Sequence, residues 1–178
     1  MGYAAAGGHV MREFFIDTIT SPLGMVRVVT DDEFLRALDF GDYEQRLQTL
    51  LARHYGEVSL REKRDPLGAS SAVARYFAGE LEALNAIPTA THGTDFQRRV
   101  WHSLCAIPAG TTISYGELAR RIGNPAASRA VGLANGANPI AIAVPCHRVI
   151  GANGDLTGYG GGMERKRWLL MHEGALLL

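Results

Sequence analysis

The spacing of apolar residues changes near residue 92, and this change constrains the fold more than any other feature of the 178-residue chain. Before it, apolar and β-branched residues come in short runs separated by turn residues, as in strands. After it, they recur every three or four positions, as in amphipathic helices. The segment 87–93, IPTATHG, has the composition of a linker. We therefore expect an α/β chain with a sheet-and-helix domain at 1–91 and a mainly helical domain at 92–178.

The first domain has the pattern of a small sheet covered by helices. Segments 13–20, 25–30 and 34–40 are rich in β-branched and aromatic residues, and a Ser-Pro-Leu-Gly turn joins the first two. Apolar residues at helical spacing predict helices over 43–54 and 70–77. This half contains no paired carboxylates, glycine-rich phosphate loop or nucleophile motif. We interpret it as a scaffold domain.

The second domain contains signals for three consecutive helices. Thr94 and Gln97 fit a capping box, and so do Ser114 and Glu117; each pair marks a helix N-terminus. The second helix ends at a Gly-Asn-Pro turn, 123–125, whose asparagine can cap the helix that follows. Two short helices joined by a tight turn are typical of a helix-turn-helix, although many helical hairpins never touch DNA.

The third helix is predicted over residues 126–135, and its composition is unusual. It is mostly Ala, Gly, Ser and Val, and Arg129 is its single charged residue. Small side chains allow a backbone to approach a partner closely. Further on, Asn153-Gly154 predicts a type I′ hairpin, and residues 158–162 form a loop with one aromatic side chain. A last helix is expected over 164–173.

Composition excludes several classes of protein. No apolar run reaches the ~18 residues of a membrane helix. The first ten residues lack the charged-then-apolar order of a signal peptide, and we expect a disordered lead at 1–10. A chain of this size with so few cysteines fits a reducing cytoplasm. The only two cysteines, Cys105 and Cys146, make no disulfide framework, and no Cys/His cluster suggests zinc. We expect no metal and no cofactor.

The formal net charge of zero hides a difference between the two halves. Residues 1–90 have 9 basic and 13 acidic side chains, a net charge of −4, whereas residues 91–178 have 9 and 5, a net charge of +4. This asymmetry favours an anionic partner for the second half.

Cys146 is the strongest candidate for chemistry, within the sequence Pro-Cys-His-Arg-Val. A cysteine becomes a good nucleophile when a base, a cation or a helix N-terminus favours its thiolate, and His147 and Arg148 follow directly. Neighbouring side chains on an extended segment point apart, so a water would relay the proton to His147. Such a relay needs an orienting acceptor, which the pattern leaves unassigned. From the residues alone, a buried structural cysteine is the more frequent alternative.

The motif and its surroundings resemble a known family. PCHRVIG, NPIAIAVP before it and NGDLTGYGGGMERKRWLLMHEG after it closely resemble the O6-alkylguanine-DNA alkyltransferases, also called methylated-DNA–protein-cysteine methyltransferases. The resemblance is strong over 94–174 and weaker over the first half. It implies a ribonuclease H-like domain followed by a winged helix-turn-helix-like domain. It also implies DNA repair in which O6-alkylguanine, or O4-alkylthymine, is flipped out of the duplex and its alkyl group is transferred irreversibly to the protein's own cysteine.

The resemblance assigns roles in the reaction to four residues. Cys146 is implied as the alkyl acceptor, and His147 as the base that acts on it through water. Glu173 is implied to orient His147, and Tyr159 to donate a proton to the departing guanine.

The resemblance also assigns residues to the DNA partner. Tyr115 and Arg129 match residues that turn the damaged nucleotide out of the duplex, and Arg129 fills the vacated space. Asn138 matches a hinge asparagine, and Val149 supplies backbone groups to the base. The implied partner is double-stranded DNA carrying alkylated bases, bound by a monomer in the minor groove with little sequence preference.

Two positions depart from the family's pattern. Gly160 stands where some members have a serine that hydrogen-bonds the guanine oxygen, so a backbone N–H would have to serve. Ala141 stands where some members have a proline that lines the pocket. Both bear on the size of the alkyl group accepted. Some members also hold zinc in the first domain, for which this chain lacks the cysteines.

Two other functions fit parts of the sequence. Alkyltransferase-like proteins bind damaged bases without repairing them, but they replace the acceptor cysteine, and here Cys146 stands in an intact PCHR motif. A hydrolase with a Cys-His-Glu site would need an oxyanion hole and would leave the helix-turn-helix unexplained.

The remaining notable residues have ordinary structural explanations. We expect Cys105, Trp101 and Trp168 in the core. Arg148 fits either a structural ion pair or a thiolate stabiliser, and the basic run 165–167 fits either a phosphate contact or a solvated helix face.

Overall fold

The computed structural model describes residues 11–177, so the lead predicted at 1–10 lies outside the described residues. A sheet-and-helix N-terminal domain is followed by a helical C-terminal domain, as predicted. The strands are β1 (Arg12–Ser21), β2 (Gly24–Thr30), β3 (Leu35–Phe40), β4 (Val58–Glu62), β5 (Ile113–Ser114) and β6 (Val149–Ile150). The helices are α1 (Glu44–Tyr55), α2 (Ala69–Phe77), α3 (Asp95–Cys105), α4 (Tyr115–Arg121), α5 (Ser128–Gly136) and α6 (Met163–His172).

Four strands form the main sheet, in the order β3-β2-β1-β4. The pairs β1–β2 and β2–β3 are antiparallel, whereas β1 and β4 run parallel. Because parallel strands need a crossover, α1 carries the chain from β3 to β4. The three predicted strands are confirmed. The edge strand β4 was not predicted: it is only five residues long, although Val58 and Leu60 alternate with polar residues.

The main sheet is covered on both faces. One face packs against α1, where Phe14, Ile16, Leu47 and Leu51 belong to one buried cluster. The other face belongs to a larger core that continues into the C-terminal domain. Buried members of that core include Val28, Leu38, Val100, Leu104, Ile140 and Leu169. Each such side chain contributes about 1.5–3 kcal/mol on burial, so this shared core joins the two domains firmly.

Strand β3 also binds the segment that leads to the PCHR motif. The backbone N–H of Leu38 donates to the carbonyl of Pro139 at 3.1 Å, and its carbonyl accepts from the N–H of Ala141 at 2.9 Å. The N-terminal sheet therefore helps to set the position of the motif.

Helix α3 begins with the predicted capping box. Thr94 Oγ1 accepts from the N–H of Gln97 at 3.1 Å, and Gln97 Oε1 accepts from the N–H of Thr94 at 3.0 Å. At α4 only half of the predicted box forms. Ser114 Oγ accepts from the N–H of Glu117, but the Glu117 carboxylate accepts from arginines one turn further along α4 instead.

The start of α5 differs from the prediction. We expected a helix from residue 126 capped by Asn124, but α5 begins at Ser128 and has no side-chain cap. Residues 124–127 form a separate turn, in which the N–H of Ala127 donates to the Asn124 carbonyl at 3.0 Å. Helices α4 and α5 are neighbours around this turn, as in a helix-turn-helix.

The hairpin predicted at Asn153-Gly154 was wrong. Gly154 has a φ of 85°, but Asn153 does not have the positive φ that a type I′ turn requires. The preceding strand β6 pairs in parallel with β5 rather than with the chain after the turn. That chain is instead held by Lys166, which donates to the carbonyls of Thr157 and Gly158. No helix within residues 11–177 is long and apolar enough to cross a membrane.

Candidate active site

Cys146 opens a single 3-10 turn, Cys146–Arg148, and is only 5% exposed. The turn before it contains Ile142 with a φ of 69°, a conformation that β-branched residues avoid. Asn138 holds this turn together, because its side-chain amide donates to the Val144 carbonyl at 2.8 Å and its Oδ1 accepts from the N–H of Ile140 at 3.0 Å. Asn138 thus connects the end of α5 to the segment before the thiol.

Glu173 lies at the centre of a buried network behind Cys146. Its Oε1 lies 2.8 Å from His147 Nε2. Arg148 donates to the same carboxylate from Nε at 2.9 Å and from Nη2 at 2.8 Å. The Tyr76 hydroxyl adds a hydrogen bond of 2.7 Å to Oε1. Burial opposes ionisation of Glu173, but hydrogen bonds from His147 and Arg148 outweigh it and hold the pKa of the carboxyl well below its usual range.

This network determines the state of His147. Burial lowers the pKa of His147, and the hydrogen bond and charge of Glu173 oppose only part of that shift. The ring is therefore neutral near pH 7. Since Nε2 faces a carboxylate, it carries the proton, and Nδ1 is left as an acceptor. Nδ1 is buried and has no hydrogen-bond partner among the described residues. His147 is thus arranged to accept one proton.

Cys146 rests as a thiol in this environment. Burial raises the pKa of the Cys146 thiol, while the Asn138 amide and the charges of Lys166 and Arg46 oppose the shift. The backbone is fixed as well, because Asn135 Nδ2 donates to the Cys146 carbonyl at 3.2 Å. A thiol that must lose its proton to react therefore lies next in sequence to a histidine that can accept one.

Tyr159 contributes a hydroxyl group that is buried and has no hydrogen-bond partner within residues 11–177. Burial raises the pKa of Tyr159 well above its usual value, and negative charge on Cys146 raises it further. The phenol therefore keeps its proton. A buried hydroxyl group without a partner, whose pKa responds to charge on Cys146, is a candidate functional group.

Models of a known protein family match both halves of the chain. The 6-O-methylguanine DNA methyltransferase ribonuclease-like domain matches residues 15–91, and the DNA binding domain of the same family matches residues 95–175. This chain belongs to the 6-O-methylguanine DNA methyltransferase family. The N-terminal match agrees with the expected ribonuclease H-like domain.

Individual members of the methyltransferase family are similar over nearly the full chain. The methylated-DNA–protein-cysteine methyltransferase of Salmonella typhimurium is 53% identical over 171 residues, covering 94% of this chain and 100% of the relative. That of Methanosarcina acetivorans is 47% identical over 155 residues, covering 87% and 95%. The crystal structure of Mycobacterium tuberculosis OGT in complex with DNA superposes with a TM-score of 0.76 at 44% identity, covering 91% and 92%.

The residues of this methyltransferase that are expected to meet DNA belong to the neighbouring helices α4 and α5. Tyr115 begins α4, and its hydroxyl donates to the Thr157 carbonyl at 2.9 Å. Its ring lies against Gly132 of α5, where a Cβ would be 3.8 Å away. Arg129, in the first turn of α5, is exposed and makes no ion pair in the part of the chain that the structure describes. Leu133, one turn further, is 74% exposed.

Val149 and Gly160, the two residues expected to present backbone groups to the base, have different surroundings. The Val149 carbonyl accepts from Lys166 Nζ at 2.6 Å, and its N–H donates to the Cys146 carbonyl. The carbonyl keeps a second lone pair. Gly160 lies against the guanidinium of Arg46, a residue of the N-terminal domain.

Lys166 is a site residue that the sequence analysis missed. We expected the run 165–167 to be a solvated face or a phosphate contact, but Lys166 is fully buried. Burial lowers the pKa of Lys166 to about 8, and charge on Cys146 partly opposes this. Its spacing from Leu169 and Leu170 on the buried face of α6 was the available signal. Arg165 forms an ion pair with Asp42 at 2.9 Å. Only Arg167 is therefore free to be a phosphate contact or part of a solvated helix face.

Of the three residues expected in the core, Trp101, Trp168 and Cys105, only the first is buried. Trp101 is buried, and its Nε1 donates to the Ala134 carbonyl at 2.8 Å. Trp168 is only half-buried, and Cys105 is exposed rather than in the core, because it lies at the C-terminal end of α3. Arg148 is a structural ion-pair former. Within residues 11–177, no group of three or more His, Cys, Asp or Glu is arranged to hold a metal ion.

Proposed function

We propose that this protein repairs DNA by transferring the alkyl group of O6-alkylguanine, and of O4-alkylthymine, to its own Cys146. The observation that carries the proposal is the buried thiol followed directly by a neutral histidine whose free Nδ1 can accept a proton and whose Nε2 is held by Glu173. The transfer is irreversible and happens once per chain, because the product on Cys146 is a thioether, which has no route back to the thiol.

The thiol proton leaves Cys146 through a water to Nδ1 of His147. Glu173 holds the ring in the required tautomer and stabilises the imidazolium that forms. Because Arg148 already neutralises much of the Glu173 charge, the resting site contains a neutral thiol and a neutral imidazole rather than an ion pair. The thiolate therefore forms only as the alkyl carbon is attacked.

Transfer forms a carbon–sulfur bond and breaks the carbon–O6 bond of the base. The electron pair stays on the guanine, and the Tyr159 hydroxyl donates its proton to offset that charge. When the imidazolium releases its proton and Tyr159 regains one, thiol and alkylguanine have become thioether and guanine with no net change in protons. Each molecule of protein reacts once.

The same proposal includes the way in which the base reaches the thiol. In-line attack is impossible within stacked duplex DNA, so the damaged nucleotide is flipped out. The small-residue face of α5 suits the minor groove, with Arg129 filling the vacated space and Tyr115 turning the backbone. Few of these side chains can distinguish bases, so a monomer binds with little sequence preference. In this division, residues 92–178 bind DNA and accept the alkyl group.

Intact-mass measurement after incubation with an O6-methylguanine duplex tests the proposal. The protein should gain one methyl group per chain, located on Cys146 by peptide mapping. Cys146→Ser should gain none, because an alcohol is a far poorer nucleophile, and Cys105→Ser, the matched control at the other cysteine, should gain one. Binding without mass gain would indicate an alkyltransferase-like protein, and repeated turnover would indicate a hydrolase.

A further inference from the structure

We propose that Arg46, on α1 of the N-terminal domain, is a further residue of the alkyl-transfer site that supplies a fixed positive charge and a free N–H donor beside the loop at Gly160. This inference rests on the proposed function. It adds a reactive-site residue from the half of the chain that the sequence analysis interpreted as a scaffold.

The guanidinium of Arg46 is held in one orientation. Its Nε donates to Asp39 Oδ2 at 2.9 Å, and its Nη2 donates to Asp39 Oδ1 at 3.1 Å. Asp39 lies on β3, is 1% exposed and also accepts from the N–H of Phe40 at 2.8 Å. A bidentate pair with a buried carboxylate gives a planar group little freedom. Its Nη1, by contrast, makes no hydrogen bond within residues 11–177.

The free end of Arg46 lies directly against the loop that contains Tyr159. A Cβ placed on Gly160 would overlap with Nη1 and would lie 2.8 Å from Cζ and 3.0 Å from Nη2. Any other residue at 160 would therefore have to displace the guanidinium. The glycine and the arginine fit together, and Arg46 supplies at this position a donor that the backbone of Gly160 was expected to provide.

The charge of Arg46 acts on both reacting protein groups. Burial raises the pKa of Cys146, and the charge of Arg46 is among those that oppose this rise. Burial also raises the pKa of Tyr159, where the charge of Asp39 adds to the rise and the charge of Arg46 opposes it. Alkyl transfer starts from a neutral thiol and passes through a thiolate and a departing guanine anion, so negative charge develops here. A cation already fixed in place stabilises that charge without reorganisation.

Transfer to the free base O6-methylguanine, which needs no DNA binding, tests the role of Arg46. Arg46→Met should slow transfer about tenfold or more and should move the pH profile of Cys146 alkylation by iodoacetamide to higher pH. Arg46→Lys keeps the charge and should restore most of the rate and the profile. Arg53→Met is the matched control, because Arg53 lies on the same helix and both arginines line a cleft between α1 and α5. It should match the parent protein.

A second variant, Gly160→Ala, tests the position of the Arg46 guanidinium without removing its charge. Gly160→Ala would push the guanidinium away, so it should reproduce most of the loss seen in Arg46→Met. The double variant should then be no slower than the slower single variant. Melting temperatures of all variants show whether a loss comes from unfolding.

Two results would overturn the inference: an unchanged rate and pH profile in Arg46→Met, or losses that multiply in the double variant. Either would leave the proposed function intact as long as the parent protein gains its methyl group. A parent protein that gains no methyl group would remove both.

Discussion

The hydroxyl of Tyr76 donates a 2.7 Å hydrogen bond to Oε1 of Glu173 across 97 positions of sequence. Burial raises the pKa of Tyr76, and the charge of Glu173 raises it further, so the phenol stays protonated and remains the donor. A side chain of α2 in the N-terminal domain therefore shares the carboxylate oxygen that holds His147. A hydrogen bond from the first domain therefore affects the charge on the oxygen that holds His147, the proposed proton acceptor in the second domain.

Tyr76→Phe should alter the pH dependence of alkyl transfer. The hydrogen bond from Tyr76 partly offsets the negative charge on Oε1. Without it, that charge attracts a proton on His147 more strongly, so the pKa of His147 rises. The acid limb of the rate profile on free O6-methylguanine should then move to higher pH. Loss of a hydrogen bond to a charged group should also cost about 1.5–3 kcal/mol of stability.

The control for Tyr76 is Tyr55→Phe. Tyr55 makes a long 3.4 Å hydrogen bond to the Ala90 carbonyl, away from Glu173, so its loss should leave the profile unchanged. A profile that is the same in Tyr76→Phe and the parent protein would show that Tyr76 acts only in packing.

Glu173→Gln should destabilise the protein by about 3–5 kcal/mol at pH 7, because Arg148 would remain buried without a counter-charge. The low pKa of Glu173 means that its charge stabilises the fold above about pH 4.5, its usual value. That contribution is lost as pH falls below 4.5 towards the folded-state pKa. The difference in melting temperature between the parent protein and Glu173→Gln should therefore become smaller in acid. A gap of constant size from pH 7 to pH 3 would contradict this.

Lys166→Met should loosen the loop that contains Tyr159. Lys166 Nζ donates to the carbonyls of Val149 at 2.6 Å, Thr157 at 2.8 Å and Gly158 at 3.2 Å, and methionine fills similar space without those bonds. We expect a loss of about 1–3 kcal/mol of stability for the carbonyls left unpaired, with slower transfer. Arg167→Met is the control, because Arg167 is the next residue of α6 and is exposed. It should have little effect on stability or on transfer to the free base.

The pH dependence of the Lys166 variant has a definite sign. The folded protein releases this proton at about pH 8, whereas the unfolded chain holds it to about 10.5. The unfolded state therefore binds more protons between these values, and the parent protein gains stability relative to Lys166→Met as pH rises from 8 to 10.5. A gap in unfolding free energy that narrows over this range would refute the assignment.

Local sequence signals predicted the features that depend on neighbours in sequence. The β-branched residues of segment 25–30 predicted strand β2, and the Thr94–Gln97 box marked the start of α3. The adjacency of Cys146 and His147 was visible directly. Such signals succeed because the interactions that produce them span only a few residues.

Contacts between distant residues were not predictable in the same way. Asp39 and Arg46 are near in sequence, but nothing in their spacing shows that the guanidinium lies against Gly160. The Asn153-Gly154 turn shows the reverse case: its local preference for a hairpin is overridden because Lys166 binds the chain that follows. Tertiary contacts determined both outcomes.

Arg129→Ala should slow repair of duplex DNA much more than repair of the free base. Flipping a nucleotide costs a few kcal/mol in lost stacking and pairing, and an inserted side chain offsets part of that cost. Each 1.4 kcal/mol corresponds to about tenfold in rate, so we expect a loss of about ten- to a hundredfold on paired duplex. The free base needs no flipping, so its rate should match the parent's. Arg61→Ala, an exposed arginine on β4, is the control for the charge change.

A lesion placed opposite an abasic site separates this role from a simple phosphate contact. If Arg129 fills the vacated space, the loss should shrink on the abasic-opposed duplex, where flipping is easier. If Arg129 only neutralises a phosphate, the loss should be equal on both duplexes and should fade as salt rises, because added salt reduces the free energy gained from counterion release at every such contact. The measurement is the ratio of variant to parent rates on paired duplex, abasic-opposed duplex and free base. Equal ratios on the two duplexes would remove the base-replacing role from Arg129.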